Sequence, residues 1–269
     1  GSGAPDDLDD SYEAVTGSFR LVYHVDDHWN AIAGWGMGFR APSLDDTTGV
    51  AVAGSGSIDY GGADLDPEKS HTFDFGARAD YESWGLSAFG FYTLLDDFIV
   101  RVPIGDASGD GVVDFGRDNA AEGWIYGFEA GLFWKPTEEV TLFADWGYAR
   151  GRVDQTTAAG ADAGDQPLSK MGPSMLHVGA RWEPRETGVW VEGLVTSAAE
   201  QDHLSLSDGT DTQRIPPKNG TPGYTVYTLR GRYAITESLS ATVAIENLSD
   251  RDYRVHGSGQ NEPGTNAVM

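Results

Sequence analysis

The feature that most constrains this chain is a period-two alternation of apolar and polar residues, sustained over segments long enough to cross a bilayer. Tyr227, Leu229, Gly231, Tyr233 and Ile235 fall on one face of an extended segment; Val226, Thr228, Arg230, Arg232 and Ala234 fall on the other. Leu239, Ala241, Val243 and Ile245 repeat the pattern against Ser240, Thr242, Ala244 and Glu246, after the short polar connection Thr236-Glu237-Ser238. Phe19, Leu21, Tyr23 and Val25 do the same near the start, and Phe73, Phe75, Ala77 and Ala79 further on. About ten such segments occur, near 16–25, 29–40, 70–82, 85–101, 123–135, 139–152, 174–183, 187–199, 223–235 and 238–248. Most approach or exceed the ~9–11 residues that a tilted strand needs to span a membrane.

The connections sort into two kinds. Short ones fall at 26–28, 83–84, 136–138, 184–186 and 236–238, and long ones at 41–69, 102–122, 153–173, 200–222 and from 249 onward. Short turns on one side and long loops on the other are the layout of a transmembrane β-barrel. A soluble sandwich hides its apolar face and wets its polar one. Here the polar face carries charges of both signs (Arg20, Arg78, Asp80, Arg181, Arg230, Arg232, Glu246), which suit a water-filled or plugged lumen. The apolar face carries Tyr81, Tyr148, Trp182 and Tyr233 towards strand ends, as interfacial girdles do. The expected fold is therefore all-β: an antiparallel transmembrane barrel, of which about ten strands are legible here. No helical period is long enough to predict a helix. Residues 1–15 read as an N-terminal segment or linker, with Gly1-Ser2-Gly3 resembling a linker scar, and 16–269 as the barrel portion.

Composition narrows function. The net charge of −24 argues against nucleic-acid binding, which needs a basic footprint. Acidic loops facing water, or cation capture, account for it. No apolar run reaches the ~20 residues of a membrane helix. There is no Cys, no G-x-S-x-G and no phosphate-binding loop, and the six histidines lack zinc-site spacing. No catalytic residues are predicted. The sharpest local motif is a calcium-loop template: Asp106, Ser108, Asp110, Val112 and Asp114 sit at alternate positions around Gly111, with Asp118 one place past the closing position, which is Arg117. The alternative is a Gly/Asp-rich turn in a water-facing loop. No cofactor is required otherwise. Arg40, Arg78, Arg181, Arg230 and Arg232 are candidates to face the lumen, paired with acids such as Asp80 and Glu246 or with a plug. Gly34, Gly36 and Gly38 alternate within a strand and suggest that something approaches the inner wall closely.

Several stretches carry a family resemblance. Gly38-Phe39-Arg40-Ala41-Pro42-Ser43-Leu44 resembles a characteristic stretch of TonB-dependent receptors. So do Asp66-Pro67-Glu68-Lys69-Ser70, Phe91-Tyr92-Thr93 with Leu95-Asp96-Asp97-Phe98-Ile99, and Asn119 to Glu129. Arg214-Ile215-Pro216-Pro217, Glu246-Asn247-Leu248 and Asp252-Tyr253-Arg254 are similar to closing motifs. The order and spacing cover nearly the whole chain. The resemblance implies a plugged barrel of about 22 strands in the outer membrane of a Gram-negative-type bacterium. It implies energised uptake of siderophores, metal complexes, cobalamin or saccharides, and no enzymatic activity. The implied partners are an N-terminal plug and further barrel strands beyond this chain, a TonB-type energy-coupling protein, and lipid or lipopolysaccharide. A last strand is expected to continue past Thr265–Met269 and is absent here. Two other roles stay open: a structural or interaction protein made of a barrel fragment, and a passive porin-like barrel.

Overall fold

A computed structural model describes residues 11–52, 56–62, 64–119, 122–156, 162–205, 208 and 220–269. Expectations on residues 1–10, on Ala120-Ala121 and on the Arg214–Pro217 motif lie outside these. The chain opens with β1 (Ser18–His24) and β2 (Trp29–Arg40), followed by a short helix α1 (Leu44–Thr48) and the strands β3 (Val50–Val52) and β4 (Ile58–Tyr60). A long hairpin, β5 (Glu68–Asp80) and β6 (Trp84–Asp96), leads to β7 (Ile99–Gly105) and β8 (Asp114–Asn119). The longest pair follows, β9 (Glu122–Thr137) and β10 (Val140–Thr156), with β11 (Asp162–Pro167) after it. Then come β12 (Met175–Trp182), β13 (Val189–Ala198), β14 (Tyr224–Ala234), β15 (Ser240–Glu246) and β16 (Asn266–Val268).

Nine of the ten predicted segments, and residues 85–96 of the tenth, are strands of one antiparallel sheet, ordered β1-β2-β5-β6-β9-β10-β12-β13-β14-β15-β16, with β11 pairing with β10. Each strand lies beside its hairpin partner, and β1 and β16 form open edges. The sheet is a partial barrel, as its alternation and loop sorting predict. Near the end of the given sequence, Asn266–Val268 pairs with Ala244–Glu246.

The short turns close by a shared device. Asp26 accepts the N–H groups of both His28 and Trp29 at 2.8 Å. Thr137 accepts those of Glu139 and Val140, and Thr236 those of Ser238 and Leu239. A short oxygen-bearing side chain thus replaces water on turn amides.

Two expectations fail locally. Segment 85–101 is not one strand. Asp97 adopts a φ of 55°, and the chain leaves the wall there. Asn119 donates from its side-chain nitrogen to the carbonyls of Asp66 and Asp97, pinning the bend. Residues from the two long loops then build a second, four-stranded sheet, β3-β4-β8-β7. A helix also exists where none was expected. Ser43 caps α1 and Asp46 answers it in a capping box. The signal was Ser-x-x-Asp, which is too short to register as a period.

The apolar face of the main sheet is exposed. Phe19, Tyr23, Phe75 and Tyr233 are between 56% and 65% accessible, and Leu142, Val178, Leu229 and Val243 are also exposed. Trp84 opposes Trp134 at the short-turn end, and Leu94 opposes Trp124 ten residues further along the same strands. Ten residues rise about 33 Å along a strand. At a tilt of roughly 35–45° they span about 25 Å, the height of the apolar band of an outer-membrane barrel. Trp29, Trp182 and Tyr233 continue the lower aromatic row, and Tyr92, Tyr126 and Tyr148 mark the upper one. No helix among the described residues is long and apolar enough to cross a membrane.

Candidate functional site

The opposite face of the sheet holds the candidate residues. Strand register decides which of them meet. Arg181 lies across from Glu192, and Glu192 across from Arg230. Glu192 is 1% exposed. Its Oε2 accepts from Arg181 Nε at 2.8 Å, and its Oε1 pairs with Arg230. The two arginine side chains remain 38% and 41% exposed. Arg181 also stacks on Trp190, 4.6 Å from the ring centroid. One buried carboxylate thus fixes two arginines that still present N–H groups to the open side, a geometry suited to planar acceptors. Arg232 lies beside them, across from Trp190 and Thr242, and is exposed.

The other two arginines have different surroundings. Arg78 approaches Asp80 only at 3.9 Å, both being more than 60% exposed, and so holds no firm pair. Arg40 sits at the loop end of β2. It forms a fork with Glu68, donates 2.7 Å to Asp46 of α1, and Glu68 in turn accepts the Ile99 N–H at 2.9 Å. Arg40 therefore ties the main wall to both long loops. Of the expected acidic partners, Asp80 makes that one long contact and Glu246 contacts Asn266. The acid that matters, Glu192, was not singled out by sequence. The clue was register: it alternates with Val189 and Val191, one strand from Arg181 and one from Arg230.

The middle of this face is aromatic. Phe89, Phe91, Phe133 and Phe143 lie over Gly76, Gly127, Gly85 and Gly179 of neighbouring strands, where any added Cβ meets the ring. They line a concavity of about 870 Å³ with Asp74, Glu129 and Asp145 at its margin. Gly34, Gly36 and Gly38 were expected to admit an approaching element; Asp74 and Ser70 of the adjacent strand stand beside Gly34 and Gly38, while a Cβ at Gly36 would meet nothing nearer than Ser18 at 3.8 Å.

The Asp-rich motif lies in the loop-side sheet. Asp106 accepts the N–H groups of Gly109, Asp110 and Gly111 at 2.7–2.9 Å, and Asp110 that of Val112. Gly109 and Gly111 take φ of 78° and 85°, which the turn requires. Asp114 is fully buried and joins two loops, accepting from Ile58 and Ser108 at 2.8 and 2.7 Å. Asp114 and Asp118 both belong to β8, four residues apart on an extended strand, or about 13 Å. Two groups so separated do not share one ion. Among the described residues no three acids or histidines converge to hold a metal. The carboxylates of Asp106, Asp110 and Asp114 are engaged by backbone amides, the arrangement of a Gly/Asp turn, and the calcium expectation stands on spacing alone.

The amide of Ile58, then that of Ser108, holds the Asp114 carboxyl below the usual carboxylate range. A lowered folded pKa contributes stability that is complete above about pH 4 and is lost as pH falls through the lowered value. Limited proteolysis of segments 41–67 and 97–121 should therefore accelerate only below about pH 4. Asp114→Asn should accelerate it at pH 7 as well; equal cleavage of variant and parent at pH 7 would contradict this role.

The family model described as TonB dependent receptor-like, beta-barrel matches residues 1–248. The chain belongs to the TonB-dependent receptor family. The family is one of outer-membrane receptors and transporters, not enzymes, and the apolar band faces outer-membrane lipid. The iron-regulated outer membrane virulence protein of Vibrio cholerae is 26% identical over 260 residues, covering 90% of this chain and 37% of that protein. The vitamin B12 transporter BtuB of Photobacterium profundum is 25% identical, covering 94% of this chain and 37% of that protein. Among solved structures, the copper transporter OprC superposes with a TM-score of 0.74 at 21% identity, over 94% of this chain and 38% of that one. The siderophore receptor PirA from Pseudomonas aeruginosa gives 0.67 at 17% identity, over 94% and 40%. This receptor chain thus spans a little over a third of the length of the curated relatives it matches.

Proposed function

We propose that this chain forms part of the wall of a receptor that takes up a scarce nutrient across the outer membrane, driven by a TonB-type coupling protein. The nutrient is a siderophore, a metal complex, cobalamin or a saccharide; an iron-regulated outer membrane protein and a vitamin B12 transporter among the relatives support that range. The observation that carries the reading is the two-faced wall. One face is apolar and exposed over a membrane's thickness; the other holds fixed arginines, free carboxylates and a concavity. In this reading that second face lines the lumen, where Arg78, Arg181, Arg230 and Arg232 meet a plug domain, further strands close the barrel beyond β1 and β16, and Arg40 braces the mouth. Specificity then lies in the long loops.

The test is uptake of radiolabelled ferric siderophores and cobalamin by cells expressing the full receptor, with and without the coupling protein. Saturable accumulation of one ligand that vanishes without the coupling protein is expected. Flux that is unsaturable and indifferent to the coupling protein would establish the passive-pore alternative instead.

A further inference from the structure

Three long loops meet at the loop-side ends of β12 to β15, through segments 168–174, 199–205 with 220–223, and 249–265. One line of contacts runs through all three. Gln201 donates from its side chain to the carbonyl of Met171 at 2.6 Å. Its backbone exchanges two hydrogen bonds of 2.9 Å with that of Thr221. The Thr221 side-chain oxygen lies 2.9 Å from Nδ1 of His256. Gln201 and Thr221 are 7% and 3% exposed, so this clasp is shielded from water.

His256 stands on a segment with its own internal ties. Asn247 holds the base, donating to the carbonyls of Arg251 and Pro263 at 2.8 and 3.1 Å. Tyr253 packs on Tyr224 at 4.4 Å, beside Ala198, Val226 and Met175. Gly257, at a φ of 79°, lies against the Lys170 stem. Asp208 is buried and fixes that same loop, accepting from the Ser169 hydroxyl at 2.6 Å and the Lys170 N–H at 3.1 Å.

His256 is the member of this line of contacts that titrates near neutral pH. It is half-buried. A neutral imidazole can take the Thr221 hydroxyl hydrogen at Nδ1, whereas an imidazolium has no acceptor left. The charged groups facing it among the described residues are Asp208, which favours the imidazolium, and Lys170, a like charge. His203 of the second loop is turned to Asp202; on the ring's own segment Arg254 donates to Asn261, and the Glu262 N–H donates to the Tyr253 carbonyl. Burial outweighs the field of Asp208 and holds His256 below the usual histidine range. The closed clasp therefore takes up a proton less readily than the open one. Its stability is complete above about pH 6.5 and declines as pH falls towards the lowered value.

We propose that protonation of His256 opens the clasp, so that acid surroundings free the three loops from one another while the strands below them stay paired. The inference rests on reading these loops as the outward mouth of the receptor, fixed at neutral pH and loosened in acid.

The test is hydrogen–deuterium exchange of the full receptor in detergent, followed by mass spectrometry between about pH 7.5 and 4 and corrected for the intrinsic pH dependence of amide exchange. Segments 168–174, 199–205, 220–223 and 249–265 should exchange at least about threefold faster at the acid end, since one proton shifts the open population by at most about tenfold per pH unit. The midpoint should lie below about pH 6.5 and clear of the carboxylate range near pH 4. H256Q should abolish the acid response with the loops protected throughout, and H256K should abolish it with the loops exposed throughout. Loops equally protected across the range, a midpoint near pH 4, or an acid response that persists in H256Q overturns the proposal. The readout does not depend on uptake: fast exchange along β12 to β15 at neutral pH would contradict the receptor wall itself, not the clasp.

Discussion

Leu229→Arg should destabilise the folded receptor by about 2–4 kcal/mol, whereas Thr228→Arg, one residue away, should cost under ~1 kcal/mol. Leu229 lies on the apolar face and is 43% exposed there, four residues from the lower-row Tyr233. Four residues of tilted strand place it roughly 10 Å into the apolar band, where an arginine loses most of its hydration. Its cross-strand neighbours Gly193 and Ile245 offer no polar partner. Thr228 faces Leu194 on the polar side, beside Arg230, so the new charge there meets water and at most some like-charge repulsion. Urea unfolding of the receptor in lipid vesicles reads the difference. Equal costs at the two positions would mean that the faces are not lipid and water.

Glu192→Gln should be the most costly change on the polar face. It removes the one negative charge between two arginines, at a position that is 1% exposed. Breaking a buried ion pair by removing one partner costs about 3–5 kcal/mol. Here the arginines are partly in water, which screens part of the loss, so about 2–3 kcal/mol is expected. The triple change Arg181→Met, Glu192→Leu, Arg230→Met should recover most of that stability, because the cost lies in uncompensated charge and not in lost shape. A Glu192→Gln variant that unfolds at the parent's urea concentration would show that Glu192 does not organise the two arginines.

How much of this was legible from residues follows from range. Alternation is local: each strand carries its own period, so all ten wall segments were readable, and the Thr and Asp turn residues marked their ends. Pairing is not local. Glu192 meets Arg181 and Arg230 through register set by two hairpins, which no single segment reveals. The loop-side sheet was missed for the same reason. Its strands β3 and β4 have three residues each, too short for a period, and they form because Asp114 and Asn119 reach more than fifty residues back to Ile58 and Asp66. The Asp-rich loop illustrates the converse. Its spacing matched a cation template, yet the template assumes a loop that curls, and β8 runs straight through its last third.

The absence of cysteine makes one measurement especially direct. Single cysteines placed at each position from 224 to 234, spin-labelled in the vesicle-inserted receptor, report contact with lipid-soluble oxygen and with a water-soluble nickel chelate. A two-sided wall in the membrane predicts strict alternation along β14: labels at 227, 229, 231 and 233 favour oxygen, and those at 226, 228, 230 and 232 favour the aqueous reagent or neither. Uniform aqueous access at all positions, or alternation in the opposite phase, would contradict the account.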